Sequence, residues 1–314
     1  MLDVREDLKG RSFTRVSGWR PGELETVLDV ADELKELHGR GERHALLPGR
    51  TLGMIFQKPS TRTRVSFEVG IAHLGGVGLY LAVGDLQLGR GETIRDTATV
   101  LSRYLDAIMI RTFAQDDVEE LAEHASIPVI NGLTDATHPC QALADLMTIR
   151  ERLGRLHGVT LAYLGDGNNV CVSLMAAASR FGMDFLAATP PGYEPIEDAV
   201  ADAEREAAES GGSVTLLTDP REAAQDADVL YTDVWTSMGQ DQERDRRLRD
   251  LAGFAIDSEL LALAGESALV MHCLPAHYGE EITEEVLYGP QSAVWDQAEN
   301  KLHVAKALMA LVVR

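Results

Sequence analysis

The feature that most constrains this chain is an alternation, repeated in two series, of short apolar runs with longer segments of helical period. In the first series the runs at 51–57, 78–82, 107–111 and 128–131 read as strands, and 20–37, 61–74, 93–104 and 116–124 read as helices. In the second, strands are expected near 159–165, 184–189, 213–218, 229–233 and 268–272, with helices at 169–181 and 195–210. Strand–helix alternation predicts parallel sheets with helices covering both faces, because parallel neighbours need long crossovers. The fold class is therefore α/β, in two domains, each a parallel β-sheet flanked by helices. A length of 314 residues suits two such domains. A long amphipathic segment at 139–153 separates the series, and "RLGRLHG" marks the handover. The boundary is placed near Arg150, giving domains 1–150 and 151–314. The last helix, about 298–314, is expected to return to the first domain. Ligands of such folds bind at the carboxyl ends of the strands, so the polar residues that follow each strand are the ones to read for chemistry, in a cleft expected between the domains.

Composition narrows the function classes. Hydrophobic residues at 45% and charged residues at 25% are globular values. No apolar run reaches the ~18 residues of a membrane helix, and "MLDVREDLKGRSF" lacks the apolar stretch of a signal peptide. Cys140, Cys171 and Cys273 form no spaced framework, which fits a reduced, cytoplasmic protein. A net charge of −21 argues against nucleic acid or an anionic membrane as partner. Only Lys9, Lys35, Lys58, Lys301 and Lys306 are lysines, leaving 24 arginines among 29 basic residues. Such a surface suits a very salty cytoplasm, where self-repulsion is screened; a genome biased toward Arg codons would read the same.

Five polar clusters follow apolar runs. Ser60-Thr61-Arg62-Thr63-Arg64 lies after a short buried strand (Leu52, Met54, Ile55, Phe56) and opens a helix, with Ser60 placed to cap. The free N–H groups and dipole of a helix start favour an anion, and Arg adds a fork for phosphate or carboxylate oxygens. An ordinary cap with solvated arginines has the same spelling. His138-Pro139-Cys140-Gln141 also opens a helix, with Pro139 in its first turn. A His there can donate to a carbonyl oxygen and a Gln amide can bind a small planar group, although incidental polar residues at a helix start look alike. Gly165-Asp166-Gly167-Asn168-Asn169 resembles a dinucleotide fingerprint but lacks the third glycine and the ribose-binding acid. It fits better as a turn presenting Asn side chains to a polar ligand. Asp233 ends a strand ahead of Ser237-Met238-Gly239, offering a carboxylate to an ammonium group and a loop to a carboxylate. His272-Cys273-Leu274-Pro275 ends the last strand, with no further Cys or His at zinc-finger spacing; alone, a buried inert Cys accounts for it.

Together and in this order, "STRTR", "HPCQ", "DxxxSMG" and "HCLP" resemble the signatures of the ornithine carbamoyltransferases, within the wider aspartate/ornithine carbamoyltransferase family. The likeness runs from "GRSFTRVSG" to "DQAENKLHVAKALM". It implies that Ser60, Thr61, Arg62 and Thr63 hold the phosphate of carbamoyl phosphate, with Gln87 reaching the same ligand from a neighbouring subunit. It implies Arg111, His138 and Gln141 for the carbamoyl group, and Asn169, Asp233, Ser237 and Met238 for L-ornithine. Cys273 and Leu274 would border carbamoyl phosphate, where the side-chain amine meets its carbamoyl carbon. Where many members read A-E-N-R, this chain has Lys301, which keeps the charge and loses the planar fork, so its expected contact with carbamoyl phosphate is less directional. The resemblance implies carbamoyl transfer to the δ-amine, giving citrulline and phosphate, in arginine biosynthesis or in the reverse direction. It implies no metal, no organic cofactor, and a homo-oligomer built on trimers. Arg111, His138 and Thr63 would stabilise the tetrahedral oxyanion, and Asp233 and Cys273 would orient the amine. An aspartate-specific relative typically has H-P-T-Q and P-L-P-R instead, and a putrescine-specific one has no need of Asp233 and the S-M-G loop. A non-catalytic ligand-binding relative would be expected to lack some of these polar residues.

Overall fold

The computed structural model describes residues 6–237 and 239–314. Close packing divides the chain into two units, Met1–Met147 with Glu299–Arg314, and Thr148–Ala298. In the first unit β1 (Thr51–Phe56), β2 (Val77–Ala82), β3 (Ala107–Arg111) and β4 (Val129–Leu133) form one sheet, with helices α1 (Pro21–Gly39), α2 (Thr61–His73), α3 (Ile94–Leu101), α4 (Gln115–His124) and the start of α5 (Pro139–Leu153). The strands are all parallel, in the order β2-β1-β3-β4. β3 is buried along its whole length, which is why it reads as unbroken Ala-Ile-Met-Ile rather than as an alternating strand. Ile55, Ile108, Ile110, Val129 and the helix residues Ala98, Val118 and Leu121 make one apolar cluster. Burial of each such aliphatic side chain is worth roughly 1.5–3 kcal/mol.

The second unit carries β5 (Thr160–Leu164), β6 (Asp184–Ala188), β7 (Ser213–Leu217), β8 (Val229–Thr232) and β9 (Leu269–His272). They are again all parallel, in the order β7-β6-β5-β8-β9. Helices α6 (Asn169–Arg180) and α7 (Glu197–Ser210) match sequence expectation, whereas α8 (Pro220–Ala224), α9 (Arg244–Asp250), α10 (Ser258–Ala264) and α11 (Glu284–Leu287) were not foreseen. These four are too short to show a helical period, and α8, α10 and α11 are fixed by caps, Asp219, Asp257 and Thr283 each accepting from a first-turn N–H. The final helix, α12 (Val294–Val312), starts earlier than expected, with Val294 and Gln297 both buried. Its later residues belong to the first unit: Lys306 Nζ donates to the Leu34 carbonyl (3.1 Å), Lys35 Nζ to Asn300 Oδ1 (2.8 Å), and Lys9 Nζ to the Ala310 carbonyl (2.8 Å).

Each sheet reverses its strand order once. In the first, β1 is flanked by β2 and β3, and in the second β5 is flanked by β6 and β8. The carboxyl ends at such reversals are where ligands of open α/β sheets bind. The register sets Phe56 beside Arg111 in one unit and Leu164 beside Thr232 in the other, so the turns that follow these strands emerge side by side. The outer edges differ. Phe13 bridges to Ile130 along β4, and Ser292 to Val270 along β9. β2 instead leaves Val77, Leu79 and Tyr80 at 55%, 43% and 41% exposure.

Candidate active site

In the first unit, Ser60 caps α2 by accepting from Thr63 N (3.2 Å), and its hydroxyl donates to Thr63 Oγ1 (3.1 Å). The first turn of α2 contains no acid, so nothing offsets its positive end. The two arginines of the turn part company. Arg64 bonds Glu68 (3.2 Å) and lies 4.1 Å from the Tyr80 ring centroid, while Arg62 is half-buried and makes no hydrogen bond or ion pair among the described residues. Thr61 is exposed and Thr63 buried. Across the reversal, Arg111 ends β3 and is 8% exposed. The β3–β4 register shifts there, pairing Ile110 with Asn131 and Arg111 with Leu133. Gly132 is the residue passed over, and a Cβ on it would sit 2.6 Å from the Met109 sulfur. A bulge of this kind re-aims the side chain at the strand end, here Arg111.

His138 and Gln141 stand at the start of α5, both buried. The loop before them is fixed by a buried network in which Asn131 Nδ2 donates to Thr137 Oγ1 (3.0 Å) and Thr134 and Thr137 both donate to Gln115 Oε1 (2.8 Å). Lys301 of α12 donates from Nζ to Gln141 Oε1 (3.0 Å) and lies 3.4 Å from His138 Nε2. Gln141 in turn donates to Asp145 (2.8 Å). Burial, then the charges of Lys301, Arg111 and Arg62, hold the His138 imidazole well below its ordinary pKa. The ring is neutral at physiological pH and, with Nε2 facing an ammonium, its proton belongs on Nδ1. Gln87 is exposed on the short turn Gln87–Arg90 that follows β2.

In the second unit, Asp233 follows β8 and is 6% exposed. Its two oxygens are separately engaged: Asn168 Nδ2 donates to Oδ2 (2.9 Å) and Cys273 Sγ donates to Oδ1 (3.0 Å). Asn168 also caps α6, its Oδ1 accepting from Val170 N and Cys171 N. Asn169 is the first residue of α6 and half-buried. Ser237 lies in a turn closed by Gln240, whose backbone N–H donates to the Ser237 carbonyl (3.0 Å). Met238 lies outside the described residues. Leu274 adopts φ 58°, a conformation that costs a Leu roughly 1–2 kcal/mol and persists only where neighbours enforce it. Asp233, His272 and Cys273 bring potential metal-ligand atoms within 4.8 Å of one another. Both His272 nitrogens are engaged, however, Nδ1 accepting from Leu274 N (2.8 Å) and Nε2 lying 3.2 Å from Glu281.

Several contributors escaped sequence reasoning. The turn reads as presenting both Asn side chains, with Asn169 given to ornithine; that Asn168 is the one that bonds Asp233 is not legible there. Arg247 of α9 donates to Asp166 (2.7 Å) and to the Trp235 carbonyl (3.0 Å), tying together the turns after β5 and β8. Burial raises the Asp166 pKa, and the Arg247 charge opposes this. The near-fingerprint glycines have a packing cause, since a Cβ on Gly167 would meet Pro195 N at 2.3 Å. Asn-Gly inside a strand was the legible signal for the bulge beside Arg111.

Residues 11–151 match the family model described as aspartate/ornithine carbamoyltransferase, carbamoyl-P binding domain, and residues 157–312 match that of the Asp/Orn binding domain. An ornithine carbamoyltransferase of Pyrococcus horikoshii is 56% identical over 306 residues, covering 98% of this chain and 96% of its own length. That of Methanoculleus marisnigri is 58% identical over 291 residues, covering 93% of each. Among solved structures, ornithine carbamoyltransferase from Pyrococcus furiosus superposes with a TM-score of 0.95 at 56% identity, covering 98% of both chains. The Gloeobacter violaceus enzyme gives 0.88 at 47% identity, covering 98% of this chain and 99% of that one.

Proposed function

The chain belongs to the aspartate/ornithine carbamoyltransferase family, and from that premise we propose how its residues divide the work of an ornithine carbamoyltransferase. The reaction moves the carbamoyl group of carbamoyl phosphate to the δ-amine of L-ornithine, giving L-citrulline and phosphate. Ser60, Thr61, Arg62 and Thr63 take the phosphate at the acid-free start of α2. Arg111, the neutral His138 and Gln141 hold the carbamoyl group, with Lys301 adding charge through its contacts to His138 and Gln141. Asn169, Ser237, Met238 and Asp233 bind ornithine, the Asp233 carboxylate facing its α-ammonium. Cys273 and Leu274 border the attacking amine.

The neutral amine attacks the carbonyl carbon, the carbonyl π pair moves onto oxygen, and the C–O bond to phosphate breaks as that pair returns, the proton shed by the attacking nitrogen leaving on the departing phosphate. Arg111 and Thr63, with an imidazole N–H of His138, donate toward the developing oxyanion. Such fixed donors are the largest lever in acyl-type transfer. Because His138 is held neutral, it donates without adding a fourth positive charge beside Arg62, Arg111 and Lys301. The observation that carries this reading is the register of Phe56 with Arg111, which brings Arg111 alongside the strand leading into the phosphate turn. A citrulline-formation assay with ornithine, putrescine and aspartate as competing acceptors tests it. Ornithine is expected to be used and the others refused; comparable use of putrescine would remove the role given to Asp233 and Ser237.

The apolar edge of β2 supports self-association, since an open hydrophobic edge strand is otherwise an aggregation liability, and the assembly proposed is a homotrimer. In that assembly Gln87, exposed just beyond β2, serves a neighbouring subunit's carbamoyl phosphate. No helix among the described residues is long and apolar enough to cross a membrane. The thiols of Cys140, Cys171 and Cys273 support a reduced, cytoplasmic enzyme. The acidic surface reads as salt-adapted: Lys58, Lys301 and Lys306 are buried and neither Lys9 nor Lys35 is fully exposed, so the surface cations are nearly all arginines. Sedimentation and activity are expected to improve from 50 mM to molar KCl, as the Debye length shrinks to about 3 Å. An intact oligomer with full activity in dilute buffer would end the salt-adapted reading alone.

A further inference from the structure

Glu281 is fully buried, and nothing in the carbamoyl-transfer chemistry calls for a carboxylate there. Its Oε1 accepts from the backbone N–H of His277 (2.6 Å) and lies 3.2 Å from His272 Nε2. Since His272 Nδ1 accepts from Leu274 N (2.8 Å), the ring proton belongs on Nε2 and points at Glu281. His272 and His277 are the two ends of the turn His272-Cys273-Leu274-Pro275-Ala276-His277. One carboxylate oxygen therefore grips both ends of the segment that carries Cys273 and the left-handed Leu274.

The grip has a firm base. The Glu281 carbonyl accepts from Ile256 N (2.9 Å), and Ile282 beside it is buried in the apolar cluster of the second unit. A divalent cation is the competing explanation, because His277, Glu280 and Glu281 bring ligand atoms within 4.8 Å of one another. Glu280 is already paired with Arg244, however, and Glu281 Oε1 already takes two donors. Of the two Glu281 carboxylate oxygens, Oε2 makes no hydrogen bond among the described residues and lies 3.6 Å from His277 Nδ1. That is the arrangement of a clamp, not of an open ligand set.

We propose that Glu281 is a positioning residue for the acceptor substrate, acting through His272 and the His277 amide to hold Cys273 and Leu274 in place. This rests on the assignment of Asp233 and Cys273 to ornithine. A carboxylate suits the task because it only accepts, and its charge strengthens both bonds. Supporting contacts of this kind set how closely a site is held to its productive geometry.

The test compares Glu281→Ala, Glu281→Gln, His272→Asn and the double variant Glu281→Ala/His272→Asn, with Cys273→Ala and Asp233→Asn run in parallel. Glu281→Ala should lower kcat/KM for ornithine by about 10–100-fold, raising KM and lowering kcat together. The dissociation constant for carbamoyl phosphate should stay within about twofold, as the clamp and the phosphate turn belong to different units. Glu281→Gln keeps an oxygen for both donors and should recover most of the loss. His272→Asn keeps an acceptor for Leu274 N but cannot reach Glu281, and should match Glu281→Ala, with the double variant no worse than either single. Ornithine kinetics within twofold of wild type in Glu281→Ala or His272→Asn would overturn the proposal, as would multiplicative losses or a Gln variant as impaired as the Ala one. If Glu281→Ala does not fold, the Gln and His272→Asn variants still decide. Unchanged ornithine kinetics in Cys273→Ala and Asp233→Asn would instead refute the underlying site assignment.

Discussion

The two units meet the demands of their ligands by opposite means. In the first, cationic side chains gather around an imidazole that burial keeps neutral, at a helix start without acids. In the second, a buried carboxylate is held by neutral donors, an Asn amide and a Cys thiol. The first site is anchored on regular elements: the capped α2, a bulge at the end of β3, and the start of α5. The second depends on turns tied to one another by Arg247 and Glu281. A small dianion is bound by fixed charge, and rigid elements suit it. A flexible amino acid needs several directional contacts at once, and those come from loops. The cationic site should therefore fail through loss of charge, and the carboxylate site through loss of geometry.

Arg62→Ala tests the cationic half most severely. Removing a charge-assisted fork from the phosphate turn should cost about 2.7–4 kcal/mol, or roughly 10²–10³ in turnover. Calorimetric titration should show carbamoyl phosphate binding lost, and near-normal affinity would remove the turn from the site. Asp233→Asn comes next, being isosteric but uncharged. Ornithine affinity should fall by about 10–100-fold, the worth of a hydrogen bond to a charged group, with carbamoyl phosphate binding unchanged. Equal weakening of both ligands would show that the halves are not independent.

Acid should separate the units more gently. His44, His73, His138 and His303, all in the first unit, have pKa values lowered first by burial, His303 to about 3. His303 faces Lys306 (3.3 Å) and Glu299 (3.5 Å), and its ring lies 5.8 Å from that of His38. Each such imidazole takes a proton more readily unfolded than folded, so its contribution is whole above about pH 6.5 and is lost as pH falls toward the native pKa. Thermal melts from pH 7.5 to 5 should show the transition falling by roughly 2–4 °C per kcal/mol lost, and His303→Gln should flatten the slope. A flat wild-type profile would mean that these imidazoles take up protons as readily in the folded protein as in the unfolded chain. Lys301→Arg is the smallest change, restoring the commoner fork. Carbamoyl phosphate affinity should rise by about 2–5-fold, whereas a loss beyond tenfold would show a pocket shaped to lysine.

All nine strands among the described residues, and the longer helices, could be read from the sequence because each carries a long enough apolar pattern. The Ser60 cap was legible for the same local reason: its partner, Thr63 N, is three residues away. What stayed hidden is non-local or short. Asn168 and Asn169 look equivalent in sequence, and only the fold decides that Asn168 reaches Asp233. Arg247 sits in a seven-residue helix among four arginines, with nothing local to mark the one that bonds Asp166. Of the two arginines in the turn that opens α2, Arg64 is diverted by Glu68 and Tyr80, and Tyr80 belongs to β2, not to that helix.

The return of the chain's last residues to the first unit sets an order of events during synthesis. The second unit is one contiguous stretch, Thr148–Ala298, and can condense once its own residues have left the ribosome. The first unit cannot. Its core waits for Glu299–Arg314, which seat Lys306 against Leu34 and bring Lys301 to His138 and Gln141. At ~5–20 residues per second the intervening stretch takes about 8–30 s to make. Through that interval the N-terminal sheet has its apolar β2 edge open and its final helix missing, so the first unit, though translated first, is completed last.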